Sequence, residues 1–248
     1  MGKRFFTIFS PFFIMFSVLT ISCDSSKKNQ TSPSVDPPPS TFSCNGSFLA
    51  KDDRRLGYDI LNTTEAGSFN DNLTLATAMG LEFLSLHLHW DSIETSAGVF
   101  SDPSSALASL NSVATAYNLK IALTISPIDI PGRATPADLS GVSFTNTAMQ
   151  SRFNNLLDFI FTKVDPSNLT SLSIGNEIDC YDWAGNGDSP ADYGAFLYNT
   201  KLHLLSHASG SIVPLAFTGT MEGLTHGVLR DMGTWTALAG IVDVIHVT

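Results

Sequence analysis

From Leu56 onward, short apolar runs that read as strands alternate with longer segments of helical periodicity, and this alternation restricts the fold more than any other feature. The strand candidates are Leu56–Leu61, Leu81–Trp90, Leu119–Ser126, Leu169–Asn176, Ile212–Gly219 and Ile241–Val247. The helical candidates are Asp71–Met79, Ser104–Tyr117, Thr147–Val164 and Pro190–Ala208. In Thr147–Val164, Met149, Phe153, Leu156, Leu157, Ile160 and Phe161 fall on one side. Repeated strand–helix alternation implies a parallel sheet.

The inner alternation of the strands separates a barrel from an open sheet. Leu84, Leu86 and Leu88 share one face of the second strand, opposite Ser85, His87 and His89. Ile121, Leu123 and Ile125 oppose Ala122, Thr124 and Ser126, and Leu172 and Ile174 oppose Ser173, Gly175 and Glu177. A doubly wound sheet is covered by helices on both faces, so its strands read apolar throughout. A barrel carries helices outside only, with a tight interior and its chemistry at the C-terminal ends of the strands. The chain is therefore expected to be an α/β protein of the TIM-type (β/α) barrel class. Eight strands complete such a barrel and six precede Thr248. The expected reading is an incomplete barrel, a fragment or truncated product lacking about 60 residues, or two βα units.

Before the barrel, composition changes twice. Lys3 and Arg4 precede the apolar stretch Phe5–Ile21, which ends in Thr20-Ile21-Ser22-Cys23. A cationic start, an apolar centre and small residues before a cysteine describe an export signal. The run is short for a membrane span and contains Pro11. The tetrad resembles a bacterial lipobox with Thr20 at the usual Leu position, which implies removal of residues 1–22 and lipidation of Cys23. Ordinary signal cleavage, giving a soluble secreted protein, is the alternative. Residues 24–47 are rich in Ser, Pro and charge and lack apolar periodicity, so residues 23–50 are expected to be the lipidated cysteine and a disordered tether. The folded domain is expected over residues 51–248, in an exported protein anchored through Cys23 and facing the periplasm or cell surface. In an oxidising compartment, Cys44 and Cys180 remain as a candidate disulfide pair. The net charge of −10 argues against nucleic acid as a partner. Oligomeric state leaves no signal in the sequence.

The segment Ser171-Leu-Ser-Ile-Gly-Asn-Glu-Ile-Asp179 carries the chemistry. A fourth barrel strand ending in Asn-Glu resembles the clan A glycoside hydrolases, retaining enzymes of this barrel. His89-Trp90-Asp91-Ser92-Ile93-Glu94 followed by Gly98-Val99-Phe100 is similar to the segment after strand two of that clan, with Thr95 where a Pro is usual. Pro136-Ala-Asp-Leu139 and Ser151-Arg-Phe-Asn154 also resemble clan segments. The likeness spans roughly residues 55–248 and selects no family within the clan.

The resemblance implies a carbohydrate substrate, no cofactor and no metal. It makes Glu177 the general acid/base and Asn176 the partner of a sugar 2-hydroxyl. The physics agrees, since leaving-group protonation needs a carboxyl kept partly neutral and an apolar strand end can raise a carboxyl's pKa. Retention also needs a second carboxylate about 5–5.5 Å away. In the clan it ends strand seven, so the chain alone is expected to be inactive. Glu222, after strand five, is expected to be a rim or subsite residue rather than that nucleophile. Trp90, Tyr181 and Trp183 read as rings for stacking on sugars, with core packing the alternative for Trp90. Asp59 and Asp179 read as hydroxyl partners or loop caps, and His87 and His89 as substrate contacts or structural histidines. Cys180 as a catalytic thiol lacks an activating base nearby.

His87-Leu88-His89 also fits barrel amidohydrolases, but their His-x-His belongs to strand one, with Lys on strand four and His on strands five and six. Here only His246 matches. A non-catalytic carbohydrate-binding surface lipoprotein, or an inactive remnant, is the remaining alternative.

Overall fold

The computed structural model describes residues 57–59, 69–130, 132–207, 213–220 and 238–247. Six strands form one sheet: β1 (Gly57–Asp59), β2 (Phe83–His89), β5 (Lys120–Ser126), β8 (Leu169–Ile174), β9 (Leu215–Gly219) and β10 (Val244–Val247). Their order in space is their order in the chain, and each neighbouring pair is parallel. A sheet that always adds its next strand on the same side has no point where the order reverses. It is the singly wound sheet of a (β/α) barrel, as the alternation predicts.

The outer face of β5 shows why these residues form a strand. Ile121, Leu123 and Ile125 are wholly buried, and their β-branched or bulky side chains suit a pleated surface covered by helices. Four longer helices do the covering: α1 (Phe69–Ala78), α3 (Ala106–Tyr117), α4 (Thr147–Phe161) and α5 (Pro190–Ser206). In α4 the stripe Met149, Phe153, Leu156, Leu157 and Ile160 is entirely buried. Its first turn is capped by Asn146, whose side chain accepts from the Ala148 amide at 2.8 Å. In α5, Ser189 accepts from the Asp192 amide at 3.1 Å and Pro190 stands in the first turn.

Sequence periodicity places the start of α3 at Ser104, two residues early. Ser104 and Ser105 adopt positive φ, so regular helix begins at Ala106, and the Asp102 carboxylate accepts from the Leu107 and Ala108 amides. Three smaller elements escape the periodicity altogether. These are the short helix α2 (Trp90–Ile93), the hairpin β3 (Glu94–Ser96) with β4 (Val99–Phe100), and the hairpin β6 (Ile128–Asp129) with β7 (Gly132–Arg133). All of them follow the C-terminal ends of β2 and β5, where barrel chemistry is built.

Candidate active site

Inward-facing side chains close the barrel interior with polar pairs. Ser173 Oγ and Thr218 Oγ1 lie 2.9 Å apart, and Ser171 Oγ lies 2.9 Å from His246 Nε2. Burial pushes His246 below its ordinary pKa of 6.5, so it sits here as a neutral ring. Toward the C-terminal ends, strand alternation turns His87 and His89 of β2 to the same side. His87 Nε2 meets Ser126 Oγ at 2.7 Å, and His89 Nε2 meets Asp129 Oδ2 at 2.5 Å. The other oxygen of Asp129 accepts from Asn176 Nδ2 at 3.0 Å. His89, Asp129 and Asn176 thus form one chain of contacts linking the ends of β2, β5 and β8.

The charges follow from the contacts. The hydrogen bond to Asp129 raises His89 above 6.5 against partial burial. Burial acts to raise Asp129, but the bonds from His89 and Asn176 hold it below 3.8. Burial lowers His87, against the attraction of Asp129, and keeps that ring neutral. The ion pair therefore supports the fold over a window with two edges. The Asp129 contribution is present above 3.8 and is lost as pH falls through its lowered pKa; that of His89 is complete below 6.5 and is lost as pH rises through its raised one.

Asn176 and Glu177 follow β8 on a turn that two constraints shape. Gly175 has φ +86° and Glu177 has φ +45°. A side-chain-bearing residue in the left-handed region costs roughly 1–2 kcal/mol, and such strain gathers at functional sites. The turn is pinned by the Gly175 amide on Ile125 O and the Asn176 amide on Ile128 O, at 2.9 and 3.0 Å. A Cβ at Gly175 would come within 2.5 Å of the Tyr193 hydroxyl, which donates to Ile174 O. Gly175→Ala is expected to destabilise the protein by roughly 2–3 kcal/mol, from left-handed strain and overpacking together. A denaturant midpoint equal to that of the unmutated protein would contradict this account of the turn.

Several residues that the sequence offers as sugar contacts are spent on structure. Trp90 is completely buried, edge-on to Phe153, and its indole donates to Glu94 Oε2 at 2.7 Å. It is a packing residue, not a stacking platform. Tyr181 is also buried, and its hydroxyl donates to Asp188. Asp179 accepts from the amide and hydroxyl of Thr220 and ties the turn after β8 to the end of β9. Trp183 is half-buried, with its ring against Tyr181 and Tyr193. Asp59 ends β1 opposite Ser85, its side chain lying outside the described residues. Glu222, Cys23 and Cys44 lie outside them altogether, and Cys180 is exposed in the turn after Glu177.

The three clan-like segments meet in one network. Glu94, itself buried, accepts from Trp90, from the Gly98 amide at 2.7 Å and from Arg152 Nε at 2.9 Å. Arg152 also donates to Asp138. Gly98 has φ +71°, which the tight β3–β4 turn requires. Asp129 is the site residue that sequence reasoning missed, and Arg152 stands in a segment singled out there without a role of its own. An acidic residue between Pro127 and Pro131, just past a strand's C-terminal end, is the signal that points to Asp129.

No family model matches the chain, and no curated protein matches it. Solved structures share its fold. An exo-β-1,4-mannosidase from Opitutaceae bacterium strain TAV5 aligns with a TM-score of 0.55 at 15% identity, over 68% of this chain and 32% of that one. A family 39 glycoside hydrolase from the gut symbiont Bacteroides cellulosilyticus WH2 aligns with a TM-score of 0.53 at 14% identity, over 77% of this chain and 37% of that one. A β-glycosidase aligns with a TM-score of 0.52 at 12% identity, over 72% of this chain and 53% of that one. The chain spans about a third to a half of the length of these structures. At such identities the likeness establishes the fold.

Proposed function

We propose that this chain is a glycoside hydrolase-like lipoprotein that acts on O-glycosidic bonds of a poly- or oligosaccharide with retention of configuration. Glu177 is the general acid/base and Asn176 holds the sugar 2-hydroxyl. The observation that carries the reading is the strained Asn176-Glu177 turn at the C-terminal end of the fourth strand of a barrel sheet, with the Asn176 amide oriented by Asp129. Glycoside hydrolases of the same fold support it. Retention takes a second carboxylate about 5–5.5 Å from the first, which in the clan stands on a seventh strand. On this reading the six-stranded sheet carries the acid/base, and turnover needs the second carboxylate as well.

Chemically, the second carboxylate bonds to the anomeric carbon as the glycosidic bond breaks and the leaving oxygen takes the Glu177 proton. Water, giving a proton to the Glu177 carboxylate, then attacks that carbon and displaces the second carboxylate. Asp129 accepts one Nδ2 hydrogen of Asn176 and so fixes which way the amide faces. Upstream, the lipobox-like tetrad and the Ser- and Pro-rich segment after it support a domain held at a membrane through lipid on Cys23, within reach of a polymer.

Calorimetric titration with a panel of oligosaccharides, beside hydrolysis assays on the same panel, tests the reading. Asn176→Ala is expected to weaken binding of the preferred sugar about 5–10-fold, the worth of one neutral hydrogen bond. Asn176-dependent binding without turnover, in a form that also carries the second carboxylate, would favour the non-catalytic carbohydrate-binding alternative. Neither binding nor turnover on any sugar would sink both.

A further inference from the structure

We propose that His87, His89 and Asp129 form a binding site for a single divalent transition-metal ion of the zinc class. Strand alternation sets the two imidazoles side by side, with ring centroids 5.4 Å apart. Asp129 Oδ2 lies 2.5 Å from His89 Nε2 and 3.7 Å from His87 Nε2, and all three ligand atoms fall within 4.8 Å of one another. Zinc bonds of about 2.0–2.2 Å in a tetrahedron put neighbouring ligand atoms about 3.3–3.5 Å apart. The observed separations bracket that value, so small side-chain rotations admit an ion. Among the described residues this is the one group of three or more His, Cys, Asp or Glu side chains with ligand atoms so close together.

Outer contacts hold the ligands as metal sites require. Asp129 Oδ1 is taken by Asn176 Nδ2 at 3.0 Å and by the Ile130 amide at 2.8 Å, which turns Oδ2 toward the histidines. Ser126 Oγ lies 2.7 Å from His87 Nε2 as a further oxygen, while Asp91 Oδ1, 4.0 Å from His89 Nδ1, is near that ring without a direct hydrogen bond to it. Two imidazoles and one carboxylate suit zinc or ferrous iron and disfavour calcium and magnesium, which take oxygen ligands. The set differs from the amidohydrolase pattern, because its third ligand is a carboxylate from the β6–β7 hairpin. It also departs from the absence of a metal that the clan resemblance implies. Through the two oxygens of one carboxylate, an ion here would couple to the orientation of Asn176.

The test uses the full-length chain, stripped with chelator and titrated with Zn2+ by equilibrium dialysis and metal analysis, with no activity measured. A single Zn2+ per chain is expected, insensitive to excess Mg2+ or Ca2+. His87→Ala and His89→Ala should each weaken binding by more than about 100-fold, and Ser126→Ala by about 10-fold. His203→Ala, which breaks a separate pair with Asp158, should leave it unchanged. Should the histidine variants fail to fold, the Co2+-loaded unmutated chain decides. A visible spectrum of tetrahedral nitrogen–oxygen ligation is expected. The spectrum of aqueous Co2+, a thiolate charge-transfer band, substoichiometric zinc, or binding lost with His203→Ala would each overturn the assignment.

Discussion

In a form of the protein that also carries the second carboxylate, Glu177→Gln is expected to slow hydrolysis of an unactivated oligosaccharide by roughly 10²–10⁴-fold, the usual contribution of a positioned general acid. The amide matches the carboxyl in size and keeps polar atoms in place, so the exchange removes the transferable proton and little else. The loss should depend on the leaving group. An alkoxide must be protonated as it departs, whereas a nitrophenolate leaves without help, so an aryl glycoside should lose far less in its first step. Saccharide binding should persist in Glu177→Gln while it weakens in Asn176→Ala. Equal losses on both kinds of substrate would remove Glu177 from the role of acid. Full activity in Glu177→Gln would remove it from the chemistry.

Arg133→Ala is expected to destabilise the protein by about 3–5 kcal/mol, because it leaves a buried carboxylate without its counter-charge. The side chains of Arg133 and Asp188 are 9% and 2% exposed. Arg133 Nε donates to Asp188 Oδ2 at 2.8 Å while Nη2 donates to Oδ1, a bidentate pair. Nη1 reaches the carbonyls of Leu139 and Val142 at 3.1 and 2.6 Å, and the guanidinium lies over the Phe144 ring. One side chain thus binds the hairpin after β5 to the loops before α4 and α5. Asp188 would keep only Tyr181 as a donor among these contacts. Combining Arg133→Met with Asp188→Asn should recover much of the loss, since the penalty comes from the uncompensated charge rather than from the missing attraction. Denaturant midpoints across the four-member cycle measure this coupling, and additive effects would contradict it.

Both predictions depend on features that differ in how far the sequence reveals them. The barrel sheet was legible because its cause is local. Alternation of Ile121, Leu123 and Ile125 with Ala122, Thr124 and Ser126 follows from a two-residue period, and the α4 stripe from a 3.6-residue one. The Asn176-Glu177 pair was legible because its place at a strand end follows from the same period. The hairpins after β2 and β5 were not, because two-residue strands carry no periodicity. Arg133 and Asp188 lie 55 residues apart, so nothing local announces their pairing.

The chain's own pattern thus settles which residues enter strands and helices, which strand faces turn inward, and that polar groups collect at the strands' C-terminal ends. Side-chain period and apolar burial act over a few residues, so they can be read along the chain. Packing alone settles what each polar group does once there. It buries Trp90 and Tyr181 as structural rings, spends Asp179 on Thr220, and brings Asp129 onto His89 and Asn176. The Asp179 and Asp129 outcomes rest on contacts between strands and loops 40 to 47 residues apart, where distance and desolvation decide which partner a charge takes.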